Sequence, residues 1–175
     1  LMPNDDDIFR HEYSVTPSSF TKNVTRVIVG LVIFVMVVVA IIPLYPQLDE
    51  DYPEEEGEEL ILILFLDVFI PALMVGILII PYYYIPKNYV TRSKDLLIDR
   101  KFSPISIPYR SIKKIYHDKE TNYLKSIRKL GNGGLYGFTG SYYKKEIGTF
   151  YMYARNSNFV VIKADKTYVI SPDEP

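Results

Sequence analysis

Two hydrophobic patterns divide this chain. From Val27 to Gln47 (VIVGLVIFVMVVVAIIPLYPQ) no residue is charged, and from Leu60 to Pro86 (LILILFLDVFIPALMVGILIIPYYYIP) only Asp67 is. Both runs exceed the roughly 20 apolar residues that cross about 30 Å of hydrocarbon at about 1.5 Å per residue. Neither keeps the polar face of a helix in a soluble core. The valine and isoleucine of the first run would favour a strand in water, but an unpaired strand in lipid leaves its backbone groups unsatisfied. The pattern therefore predicts a transmembrane hairpin over residues 23–86, with helices at about 23–46 and 60–85 and a connecting loop at 47–59.

After Lys87 the pattern shortens to a period of two. Ile105 and Ile107 alternate with Ser106 and Pro108, and Phe150, Met152 and Ala154 with Thr149, Tyr151 and Tyr153. Further strands are predicted at Asn88 to Arg92, Leu96 to Phe102, Ser111 to His117, Leu124 to Leu130, Asn158 to Lys163 and Tyr168 to Ile170. Short strands with turn residues between them predict a small antiparallel sandwich or barrel over residues 88–175. Six of the nine glycines lie in this part, five of them (Gly131, Gly133, Gly134, Gly137 and Gly140) in RKLGNGGLYGFTG. No Lys-Ser or Lys-Thr pair follows them, as a phosphate cradle requires. They are read as structural glycines of a bent hairpin, with Gly133 and Gly134 expected to hold conformations closed to other residues.

Charge orients the hairpin. Lys22 and Arg26 precede the first run and Lys87, Arg92 and Lys94 follow the second, whereas the loop has no Lys or Arg and carries eight Asp and Glu. The bias predicts a multi-pass cell-membrane protein with both termini and the β domain in the cytoplasm, and Tyr82, Tyr83 and Tyr84 at the cytoplasmic interface. The formal total of −1 conceals a domain from Lys87 onward with 17 basic and eight acidic groups. Residues 1–22, which contain the Asp5 to Asp7 triplet, read as a mobile cytoplasmic tail.

Candidate chemistry is sparse. The absence of cysteine excludes disulfides, thiolate metal sites and cysteine nucleophiles. His11 and His117 are the only histidines, so neither a catalytic set nor a metal site is assembled, and no cofactor is implied. Asp67 is an intramembrane carboxylate, but a 27-residue helix is about 40 Å long and can carry it to the outer interface. The acidic loop lacks the glycine and spacing of a calcium-binding EF-hand loop. The remaining feature is three basic pairs, Lys113/Lys114, Arg128/Lys129 and Lys144/Lys145, as candidate contacts for a lipid headgroup or a partner.

IPYRSIKKIY (Ile107 to Tyr116) and SIRKLGNGGLYGFTGSYYKKEIGTFYMYARNSNFVVIKADKTYVISPDEP (Ser126 to Pro175) resemble the bacterial pleckstrin-homology-like domain family of membrane proteins. The resemblance implies two nearly orthogonal antiparallel sheets closed by a C-terminal helix. Ser171, Pro172, Asp173 and Glu174 read as the first turn of that helix, a capping box with proline at its favoured position. With Leu1 at the start, the chain reads as a fragment that lacks the rest of that helix. The expected class is thus an α+β membrane protein: a two-helix transmembrane hairpin followed by a small PH-like β-sandwich or barrel. The leading functional expectation is a membrane-anchored adaptor, not an enzyme, that binds a protein or peptide or forms a homo-oligomer. An anionic lipid headgroup is the alternative ligand, an enzyme or transporter accessory role comes third, and nucleic acid is not expected.

Overall fold

The computed structural model describes residues 10–41, 57–118 and 122–174, with the backbone alone for residues 40 and 57–67. The chain forms two compact units, one of residues 26–80 and one that joins the segment ending at Thr25 to Pro81 onward. The acidic residues of the loop before Gly57 and the Asp67 side chain lie outside the described residues.

Among the described residues the β unit contains ten strands: β1 His11–Ser14, β2 Pro86–Thr91, β3 Asp95–Arg100, β4 Ile105–Pro108, β5 Lys114–His117, β6 Ile127–Gly133, β7 Phe138–Lys144, β8 Gly148–Ala154, β9 Val160–Lys163 and β10 Thr167–Ile170. They form a four-stranded sheet, β1-β2-β3-β4, and a six-stranded sheet, β5-β9-β10-β8-β7-β6. The expectation of purely antiparallel pairing is corrected at one place, where β10 runs parallel to β8 with Tyr168 beside Tyr151. The chain leaves β8, skips one strand position to make β9, and returns through a tight turn so that β10 fills the gap.

Alternation explains the packing, because both faces of β8 are covered. Phe150, Met152 and Ala154 join Tyr123, Phe138, Tyr142, Phe159, Val161 and Val169 in one core. On the other face Tyr153, Ile162 and Ile170 meet Tyr89, Leu96, Ile98 and Ile107 of the four-stranded sheet, with Val15. Fully burying an aliphatic or aromatic side chain of this kind contributes about 1.5–3 kcal/mol.

The N-terminal segment differs from the expected mobile tail, for His11–Ser14 is an edge strand paired with Asn88 to Thr91 of β2. Its side chains are exposed, so burial does not hold it. Hydrogen bonds do. Asp173 accepts from the Thr16 N–H at 2.9 Å, the Thr16 hydroxyl at 2.9 Å and the Ser14 hydroxyl at 2.9 Å. Those bonds also correct the reading of Ser171 to Glu174 as a helical first turn. The Ser171 hydroxyl accepts the Arg155 N–H at 2.8 Å and the Asn156 N–H at 3.3 Å, and no helical turn forms over residues 171–174.

Of the hairpin glycines, Gly131, Gly134, Gly137 and Gly140 have positive φ and Gly133 does not, which corrects the expectation for Gly133. The close approach is at Gly131 and Gly140, which face each other across β6 and β7.

Helix α1, Ser19–Ile41, starts four residues earlier than expected because Ser18 caps it, its hydroxyl accepting the Thr21 N–H at 3.2 Å. Helix α2 is Gly57–Tyr84. In the 26–80 unit Val27, Phe34 and Val68 are 71%, 67% and 71% exposed. Ser19–Val39 is long and apolar enough to cross a membrane, and Val68–Tyr84 is a shorter apolar stretch of α2.

Candidate functional site

The strand register decides where the basic pairs lie. Lys114 is directly opposite Lys163 on β9, and Lys163 is opposite Thr167 on β10. At the same end of the sheet Lys144 is opposite Gly148 of β8, and Ile127, which precedes Arg128 and Lys129, is opposite Tyr143. All three predicted pairs therefore reach one end of the six-stranded sheet. They do not form one pocket, because β5 and β6 are its two edges and five steps of about 4.8 Å spread them over about 24 Å.

Sequence reasoning missed Lys125, Lys163 and Lys166, which join this end. Lys163 and Lys166 flank the β9–β10 turn, a signal that period-two alternation does not weigh. The carboxylates in the turns here are Glu146 and Asp165. None of these cations makes an ion pair among the described residues, where the bridge present is Arg10 to Glu12.

Local contacts show how each cation is held. The Lys113 N–H donates to the Lys163 carbonyl at 2.7 Å, which anchors the start of β5. The ammonium groups of Lys114 and Lys163 lie 5.2 Å and 5.8 Å from the Tyr116 ring centre, so one aromatic ring serves two like charges. Arg128 and Lys129 are split between the two faces, and the register shifts between Arg128 and Leu130. Arg128 lies opposite Tyr142, whose hydroxyl burial pushes up to about 12 against the pull of the Arg128 charge. Lys129 donates to the Thr149 hydroxyl at 2.9 Å on the other face. Lys144 donates to the Asn122 carbonyl at 3.0 Å, and Lys145 sits in the β7–β8 turn.

A cleft of about 200 Å³ opens at this end, lined by Ser106, Ile107, Pro108, Ser111, Ala164, Asp165, Lys166 and Tyr168. Its serine hydroxyls are engaged, Ser106 donating to Asp95 and Ser111 to the Pro108 carbonyl. Neither is set against a base, and His117 lies at the far end of β5. Among the described residues no three His, Asp or Glu side chains could hold a metal ion. The chemistry on offer is recognition of negative charge.

The opposite end of the sheet carries both connections to residues 26–80. There the Tyr136 N–H donates to the Thr25 hydroxyl at 2.9 Å, Thr21 donates to the Arg155 carbonyl at 3.0 Å, and the Tyr82 ring meets Tyr136 at 5.7 Å. Seven-residue strands such as β7 separate the two ends by roughly 20 Å.

A protein-family model described as a bacterial PH domain matches residues 87–175. No curated protein and no solved structure matches the chain.

Proposed function

The chain belongs to the bacterial PH domain family, and on that premise we propose a membrane-anchored binding module that presents the lysine end of its six-stranded sheet to an acidic segment of a protein partner. In this reading residues 26–80 cross the bilayer twice. Support for two crossings comes from β1 and β2, which flank those residues in sequence yet pair in one sheet. Both flanks then lie on one side, and an even number of passages is required. The basic flanks and a loop free of Lys and Arg make that side the cytoplasm. The role is binding rather than catalysis.

The observation that carries the partner reading is Lys114 directly opposite Lys163, with no carboxylate partner among the described residues. Like charges directly opposed across strands are destabilising, and an acidic ligand relieves them. A lipid headgroup is the less favoured ligand at these residues. They lie roughly 20 Å from the connections, beyond the Debye length of about 8–10 Å.

The test is photo-crosslinking from Lys145 in the full chain, in cells and in detergent extract. Adducts should be with a protein rich in Asp and Glu, and should fall several-fold on raising salt and in a Lys114→Glu, Lys163→Glu double variant. Adducts with a second copy of this chain would replace the partner by a homo-oligomer, and an adduct set unchanged by charge reversal would refute the reading.

A further inference from the structure

The end of the β unit that carries the connections has a surface of its own. The loop from Lys101 to Pro104 joins β3 to β4 and is fastened to the residues that close α2. The Phe102 N–H donates to the Tyr83 carbonyl at 3.0 Å, the Phe102 and Tyr84 rings meet at 5.4 Å, and the Lys101 ammonium donates to the Tyr82 hydroxyl at 2.6 Å. Arg100 lies 5.8 Å from the Tyr84 ring and 5.0 Å from the Tyr153 ring, and its Nε is buried without a hydrogen-bond partner. Neither Arg100 nor Lys101 makes an ion pair among the described residues.

This surface pairs exposed rings with unneutralised cations. Tyr82, Tyr83 and Tyr84 are 44%, 46% and 38% exposed, and Phe102 at the loop is 56% exposed. In water four exposed rings have no compensation, and loop tips are ordinarily polar. At a bilayer interface the same set is favourable: rings occupy the headgroup level, and a lysine places its stem along them with its charge among phosphates.

We propose that the Lys101–Phe102 loop docks into the headgroup layer of the bilayer, Phe102 among the glycerol and upper acyl groups and Lys101 against anionic phosphates. The occupant is lipid rather than protein because the ring cluster continues directly from the apolar helix α2, so chain continuity sets it at the surface of whatever medium that helix occupies. The inference rests on the reading that residues 26–80 span a membrane.

The chain has no cysteine, so single cysteines at Phe102 and, as a control, at Ile127 on the lysine end can carry a polarity-sensitive fluorophore in the full protein. The probe membranes are liposomes of phosphatidylcholine alone and of phosphatidylcholine with phosphatidylglycerol. Lipids spin-labelled at the headgroup should quench the label at 102 several-fold more than that at 127, and soluble iodide should do the reverse. Phosphatidylglycerol should strengthen the quenching at 102. A Lys101→Glu change, which reverses one charge at an anionic surface, should shift the docked-to-free ratio by about 30-fold and remove that dependence. A label at Ser103 reads the same depth if replacing Phe102 disturbs the loop. Incorporated protein whose 102 or 103 label meets iodide as freely as the 127 label would overturn this inference alone. Protein that never enters the liposomes would overturn the membrane reading, and this inference with it.

Discussion

Gly131 and Gly140 offer the sharpest test of the β unit. Their φ values are +121° and +122°. A Cβ on Gly131 would stand 2.1 Å from the Thr139 carbonyl oxygen and 2.7 Å from the Gly140 Cα, and one on Gly140 would stand 2.2 Å from the Leu130 carbonyl oxygen. These obstacles are backbone, so no side chain can swing away. Positive φ costs a residue with a Cβ about 1–2 kcal/mol. Forcing β6 and β7 apart by roughly 1 Å adds about 1–3 kcal/mol, the usual cost of overpacking. Gly131→Ala or Gly140→Ala should therefore lose about 2–5 kcal/mol, a drop of roughly 10–24 °C in Tm for a domain of about 100 residues. Gly133→Ala is the control. There φ is negative and the obstacle is the Arg128 guanidinium at 2.9 Å, the far end of a flexible side chain, so the loss should stay below about 1 kcal/mol. Thermal unfolding of the full chain in detergent, followed by far-ultraviolet circular dichroism, measures all three. Should Gly131→Ala and Gly133→Ala melt within a few degrees of each other, the close approach of the two strands is wrong.

Two further predictions concern buried and clasped polar groups. The Tyr89 hydroxyl, buried, donates to the Tyr153 carbonyl at 2.6 Å and accepts the Ser171 N–H at 3.0 Å, and burial holds its pKa far above the ordinary value; Tyr89→Phe leaves both groups unpaired and should cost about 1–3 kcal/mol in urea unfolding, and an unchanged midpoint would refute that bonding. Burial raises the Asp173 pKa, but the hydrogen bonds from Thr16, Ser14 and Asn156 outweigh it and leave the pKa below its ordinary 3.8. The stabilisation is then present at neutral pH and is lost as pH falls through 3.8 and below, so wild type should lose more stability than Asp173→Asn over that range, and parallel pH profiles would contradict the clasp.

Alternating apolar sets were legible in the sequence, as Phe150, Met152 and Ala154 illustrate. β1 was not, because His11, Glu12, Tyr13 and Ser14 bury nothing and carry no alternation. Ser171 to Glu174 misled for the opposite reason. The local pattern fits a helix start, but its polar groups are taken by Arg155, Asn156 and Thr16, two of them near in space through β8 and one from the far end of the chain. The cap at Ser18 was present in the sequence but outweighed by the apolar run that follows it. For the candidate site, basic dipeptides could be read directly. That they share one end of the sheet, and that Lys163 opposes Lys114, follows only from register, which pairs residues almost fifty positions apart.

The pairing of β1 with β2 also separates the unit that folds from the segment the family model matches. During synthesis β1 emerges first and must wait for residues 26–80 before a partner exists. A fragment expressed from Lys87 would lack β1, the Ser14 and Thr16 donors to Asp173, and the Thr21 and Thr25 contacts. Its bare β2 edge would invite a strand from a neighbouring molecule, and material that aggregates or exchanges strands is the expected result. The sounder soluble version joins residues 10–25 to residues 81–174. Thr25 and Tyr82 both touch Tyr136, so a few Gly and Ser residues suffice to bridge them.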